Sequence, residues 1–220
     1  MNGGFPMSMI KSALELALER TKNLEVDEIA VKAGEIKTKG RRAAGKYLDN
    51  PEAADLSKAI SGVESQYREQ FRKAVFDILI AQIQLPTGLF DADKLAVIGK
   101  GLSVVAGSTM AQDPLAGSAA GKKAAALVQQ ISAFLAKYVE EVKRVEQAIR
   151  TQWAPKLKEK ERQLAARTGQ NVRLDPMSDP EFSAFYKQNF EALRSNYIDA
   201  LERAKGEIAA LCGIAQEASA

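Results

Sequence analysis

Histidine is missing altogether from the 220 residues, and cysteine occurs once, as Cys212. Without imidazole, serine–histidine and cysteine–histidine nucleophiles cannot be assembled within one chain. One thiol cannot form an intramolecular disulfide, and with no histidine it cannot build a zinc site. The Glu-x-x-His signature of di-iron bundles is excluded for the same reason. Aromatics are sparse at 6%, with a single tryptophan, and no run of β-branched residues alternates with polar ones. That pattern gives no support to strands. The most apolar stretch, 95–107, is too short for a bilayer and carries Lys100. The N-terminus lacks a basic start, and the apolar residues after it are interrupted by Lys11, Glu15 and Glu19, so no secretory leader is read there.

What is present is helical periodicity. The chain is 46% hydrophobic and 27% charged with a formal charge of +3, ordinary values for a protein long enough to bury a core. Ile10, Ala13, Leu14, Ala17 and Leu18 form one stripe, predicting a helix from Met7 or Ser8 that fades at Asn23-Leu24. A second helix is predicted over Val26–Leu48, with Ile29, Ala33, Ile36, Ala43, Ala44 and Tyr47 on one face. Gly34, Gly40 and Gly45 weaken it by roughly 1 kcal/mol each, so residues 1–50 read as partly mobile helical segments. Asn50-Pro51-Glu52 reads as a cap and first turn, opening a helix over Pro51–Leu85 whose stripe is Leu56, Ile60, Val63, Tyr67, Phe71, Val75 and Ile78.

Residues 86–121 form a Gly/Ala-rich connection within the long-helix region 51–220. Asp91 caps a helix through Leu95, Ile98, Leu102 and Val105, followed by a loop over Thr109–Ala116. Gly99, Ser103 and Gly107 recur every four residues, as do Gly117, Gly121 and Ala125, which points to close helix packing or a hinge. A phosphate loop ending at Gly121-Lys122 fails because Ala116 and Lys123 occupy its glycine and Ser/Thr positions. From about Ser118 to Trp153 a seam of Ile131, Leu135, Tyr138, Val142, Val145 and Ile149 predicts a helix on the order of 50 Å long. Pro155 is expected to kink or break it, leaving a charged extension that ends at Thr168-Gly169. After a linker, Ser178-Asp179-Pro180-Glu181 starts a helix of about forty residues along Phe182, Tyr186, Phe190, Leu193, Tyr197, Leu201, Ala204, Ile208 and Leu211. The fold class expected is therefore all-α, an elongated bundle of long antiparallel helices with coiled-coil-like seams.

The acids stand mostly opposite the apolar stripes, as solvated helix faces do, with a hard-cation site built from carboxylates alone as the alternative. Cys212 sits between apolar neighbours and reads as a small core or interface residue, and Trp153 as packing just before the proline. No residue is marked as catalytic, cofactor-binding or metal-binding, and the chain is not expected to be an enzyme. The one concentration of charge is 32–46, with six basic residues against Glu35 alone. Within it Lys37, Lys39, Arg41, Arg42 and Lys46 are candidate anion-binding residues that could neutralise phosphates. The alternative is a solvated helix surface, paired in part with acids such as Glu64 and Glu69. The segment carries no recognition-helix motif and no aromatic stacking set.

The run from Met9 to Thr21 (MIKSALELALERT) and the later Gly40–Leu48 (GRRAAGKYL) resemble a family of uncharacterised bacterial helical proteins, often from spirochaetes. The resemblance implies no activity. It suggests that translation begins at Met9, with Met1–Ser8 dispensable. The expected role is a cytoplasmic helical scaffold or protein-interaction protein, with a protein partner or a second copy bound along its seams, no cofactor and no membrane span. The alternative is a nucleic-acid-associated protein using the basic segment.

Overall fold

A computed structural model describes residues 13–110, 113–170 and 173–214, with backbone alone over 13–28 and at 110. The described residues contain helices and no strand, in the order α1 (Ala13–Asp49), α2 (Leu56–Ser61), α3 (Arg68–Ala81), α4 (Ala92–Gly107), α5 (Pro114–Thr168) and α6 (Pro180–Leu211). The all-α expectation therefore holds.

α1 is one helix where two were predicted. Neither proline nor glycine occurs between Ala13 and Gly34, so nothing local enforces a stop at Asn23-Leu24. The predicted start at Met7 or Ser8 lies outside the described residues. The predicted single helix over 51–85 is instead broken. Asn50 accepts from the amide of Ala53 (3.2 Å) in a turn, and the helix begins only after Asp55, whose carboxylate accepts from Lys58 N at 3.0 Å. α2 then closes at Gly62, and a 3-10 turn, Ser65–Tyr67, leads into α3. The break folds Leu56 towards Tyr47 and Gly101, while Phe71 and Ala74 lie against Gly40 of α1.

α4 starts at the expected cap, with Asp91 accepting from Lys94 N at 2.9 Å. It pairs antiparallel with the start of α5. A Cβ at Gly99 would lie 3.3 Å from Val128, one at Gly121 would lie 2.8 Å from the Ser103 carbonyl, and one at Gly107 would lie 3.5 Å from the Gly117 carbonyl. The small-residue spacing thus brings two backbones together, as its periodicity indicated. α5 begins at Pro114 rather than Ser118, because Asp113 caps the amides of Leu115 and Ala116 at 3.1 Å.

α5 runs 55 residues, about 80 Å, with Pro155 inside it. Of the two outcomes the sequence suggests, a break or a kink, the break does not occur. Pro155 and Thr151 are exposed, so the carbonyl deprived of a donor is open to water. Trp153 and Leu157 on either side are buried against Phe182, which holds the helix together across the proline. Gly169 (φ 70°) terminates it, its backbone N–H donating a hydrogen bond to Ala165 O at 2.9 Å. α6 opens at Asp179, which accepts from Phe182 N at 3.0 Å. It runs 32 residues rather than forty and does not match α5 in length, since the first part of α5 is matched by α4 instead. Gly213 (φ 62°) closes it, with Ile214 N bonded to Ala209 O and Gly213 N to Ala210 O, both at 3.0 Å.

Two apolar cores result. The larger joins the second half of α1, α2, α3, α4, the start of α5 and the end of α6, with Val75, Leu79, Ile83, Ile98, Leu102 and Ile208 fully enclosed. The smaller lies at the far end of the α5–α6 hairpin, where Ile149, Trp153, Leu157 and Phe182 pack with Phe185, Tyr186 and Phe190. Trp153 meets Phe182 edge to face at 5.7 Å. Among the described residues no helix is long and apolar enough to cross a membrane.

Candidate functional site

The basic segment lies on the second half of α1. That half is held by its apolar side, where Gly40, Ala44 and Tyr47 are buried and Tyr47 donates its hydroxyl to Val97 O at 3.0 Å. Lys37, Lys39, Arg41, Arg42 and Lys46 are all exposed. At about 100° per residue they do not share one face. Lys37 and Arg41 stand one turn apart on one flank of the buried side, Lys39 and Lys46 lie on the other, and Arg42 lies on the far side of the helix. The arrangement is a sleeve of positive charge around a rod rather than a pocket. Lys32, at its edge, sits 3.5 Å from a Glu64 carboxylate oxygen and over the Tyr67 ring at 5.3 Å, so part of the cluster is committed within the fold.

Ahead of this packed half, residues 29–35 are exposed apart from the half-buried Ala33. Among the residues whose side chains are described, those of α1 packed on the core begin at Ile36. Ile29 continues the same stripe yet is 58% exposed.

Among the described residues Arg72 of α3 is the one charged residue buried as a whole. Its neighbours Phe71, Ala74 and Val75 are the only hint of burial in the sequence, because an arginine beside an apolar stripe usually snorkels to water. Here its guanidinium donates to Val105 O (3.2 Å), Ser108 Oγ (2.9 Å), Cys212 O (2.7 Å) and Thr109 Oγ1. Val105 and Cys212 lie at the C-terminal ends of α4 and α6, where unpaired carbonyls carry partial negative charge. Burial lowers the affinity of Arg72 for its proton, opposed by Cys212 and Glu69. Arginine nonetheless stays charged in proteins, so the helix ends serve as its counter-charge. The result is a clasp joining three helices.

Cys212 is fully buried in this clasp, and burial pushes its thiol up to about 11. It is packed as a core residue, as the sequence indicated. In the middle of the hairpin Tyr197 stacks near Phe134 and Tyr138 (4.5 and 4.9 Å) and donates to Glu141 Oε2 at 2.8 Å. Burial first, then that carboxylate, raises its hydroxyl to about 12. Near the tip, Lys160 bridges α5 to Asp179 and Glu181 at 2.6 and 3.1 Å. No group of three or more potential metal-ligating side chains occurs among the described residues.

The segment between α3 and α4 adds two clefts. Leu85, Pro86, Thr87 and Gly88 stand between them. One, of about 350 Å³, opens towards α5 and α6, and the other, of about 340 Å³, opens towards α4.

The sequence model of a family of unknown function, DUF6657, matches residues 57–210, and the chain belongs to that family. The matched region takes in both clefts and all of the Arg72 clasp but Cys212, and it begins after the two segments that carry the resemblance. The basic sleeve on α1 precedes it. No curated protein and no solved structure matches the chain.

Proposed function

We propose that this member of a family without an assigned role is a non-catalytic helical scaffold of the bacterial cytoplasm, which works by holding protein, a second copy of itself first of all. The reading rests on the unfinished apolar stripe of α1. Its second half is sealed into the core, while Ile29 on the same stripe is 58% exposed. A stripe that continues past its own core offers a partner helix the same kind of surface that α3 already uses. The side-chain inventory agrees, since it marks no nucleophile and base.

Light scattering on the full chain across a wide concentration range tests this. The expected result is a concentration-dependent oligomer that Ile29→Glu weakens by about tenfold, with unchanged helicity. A monomer throughout, or an oligomer indifferent to Ile29→Glu, refutes self-association through α1. Purified protein that turns over a metabolite refutes the non-catalytic reading.

The exposure of all five candidate cations on α1 supports a second reading, binding to nucleic-acid phosphates. A sleeve around a helix suits backbone contact without base readout. Salt-dependent retention on DNA or RNA, lost when Lys37, Lys39, Arg41 and Arg42 are changed to Gln, would establish it in place of the first.

A further inference from the structure

The cleft facing α5 and α6 differs from the other surfaces in what lines it. Its walls are Leu85 and Pro86 from the α3–α4 connection, Val139 and Val142 from α5, and Phe190 from α6. Lys143 and Arg194 also line it, each one helical turn beyond an apolar wall residue, Val139 and Phe190 respectively. No acidic residue does. Neither cation makes an ion pair or hydrogen bond among the described residues, whereas acids on neighbouring turns are engaged elsewhere. Glu141 accepts from Tyr197 at 2.8 Å and lies 3.9 Å from Lys137, and Glu146 holds Arg150 at 2.9 Å. The remaining near neighbours in sequence, Glu140 and Glu191, are exposed and do not line the cleft.

We infer that this cleft is a binding site for a small amphipathic anion, a carboxylate or phosphate head carried on an alkyl chain or ring. Three observations fit that ligand and no simpler one. The apolar walls would repel a bare inorganic anion's hydration shell without compensation. The two uncommitted cations give a neutral apolar molecule no advantage over a charged one. The volume, about 350 Å³, is at the lower end of ligand pockets, which limits the occupant to a single short chain or small ring system. The head group would be held by Lys143 and Arg194, with Arg194 able to grip two oxygens at once. The body would lie along Val139, Val142, Leu85 and Phe190. Such a ligand would tie the α3–α4 connection to the α5–α6 hairpin.

Titration calorimetry on the full chain with decanoate, decyl phosphate, decanol and inorganic phosphate tests the inference. One site is expected for decanoate or decyl phosphate, and whichever binds tighter identifies the head group. Decanol should bind at least about tenfold more weakly, and phosphate alone should give no saturable heat. Both cations are exposed, so the double substitution Lys143→Gln with Arg194→Gln should leave helicity intact while weakening the anion about tenfold or more. Val142→Asp, placing a like charge in the wall, should abolish binding. Equal affinity for decanol and decanoate overturns the proposal, as does an unaffected double variant or no heat with either amphiphile. A double variant that changes oligomeric state and not ligand binding also overturns it, since a second copy would then cover the cleft. The outcome is independent of Ile29→Glu, so this site and α1 self-association stand or fall separately.

Discussion

Replacing Gly40 with alanine and, separately, Gly45 with alanine makes the same chemical change twice on one helix, five residues apart. In a helix interior the change should be favourable by up to about 1 kcal/mol, because glycine has more backbone freedom to lose. A Cβ at Gly45 meets nothing within 4 Å, so that gain is kept. A Cβ at Gly40 would sit 2.8 Å from Phe71 O and 2.9 Å from Ala74 Cβ. Carbon contacts are relaxed at about 3.5–4.0 Å. α1 and α3 must therefore separate by more than half an ångström, and they are backbone and a methyl, with no flexible side chain to yield. Overpacking of this kind costs about 1–3 kcal/mol. The propensity gain cancels between the two variants, so their difference isolates the packing cost. Gly45→Ala should be neutral to stabilising, and Gly40→Ala should fall below it by about 1–3 kcal/mol. Urea unfolding followed by ellipticity measures this directly, with the expected shift in the midpoint and no change in slope. For a chain of this length the gap should also appear as a melting difference on the order of 5 °C. Equal shifts in the two variants would mean that α1 does not lie on α3 through Gly40, and the larger core would have to be redrawn.

Arg72→Met keeps most of the apolar stem but strips the carbonyls of Val105 and Cys212 of their donor, so it should cost about 2–4 kcal/mol in urea unfolding. Amide exchange at Gly213 and Ile214 should quicken in that variant, and an unchanged midpoint would mean the clasp contributes nothing. Stability should also fall in alkali. Tyr197 and Cys212 titrate near 12 and 11 in the folded chain, above their ordinary values, so the native state holds these protons more tightly than the unfolded one. The advantage is complete at neutral pH, below the unfolded values, and drains away as pH rises from about 9 through 12. Urea midpoints at pH 7, 9 and 10.5 should decline in that order, with Tyr197→Phe flattening the decline above pH 10. A midpoint that rises with pH would reverse the assignment.

Much of the fold was legible in local chemistry. The caps at Asp91 and Asp179, the stops at Thr168-Gly169 and the seam through Ile131, Leu135 and Tyr138 all depend on neighbours within a turn or two, which is what periodicity and capping report. So did the small-residue spacing around Gly99, Ser103 and Gly121, since a missing Cβ is visible in sequence even when its partner is not. The errors fell where long-range packing outweighs local preference. Pro155 leaves α5 whole because Trp153 and Leu157 are anchored on Phe182, and the stripe over 51–85 breaks because Leu56 has a place beside Tyr47.

The candidate sites divide the same way. A run of lysines and arginines is plain in sequence, but its spread around α1 is a matter of angle. Arg72 could be assigned its partners only by the fold, which brings the ends of α4 and α6 to it across more than thirty and more than a hundred residues of chain. The cleft beside Lys143 and Arg194 has no motif, because its walls come from three separate segments. Amphipathic spacing and the absence of histidine settled, from the sequence alone, that this is a helical chain without imidazole chemistry. Which helices meet, which charge is enclosed and where a cleft stays open were decided by tertiary packing, because those depend on distances between residues that the order of the chain does not encode locally.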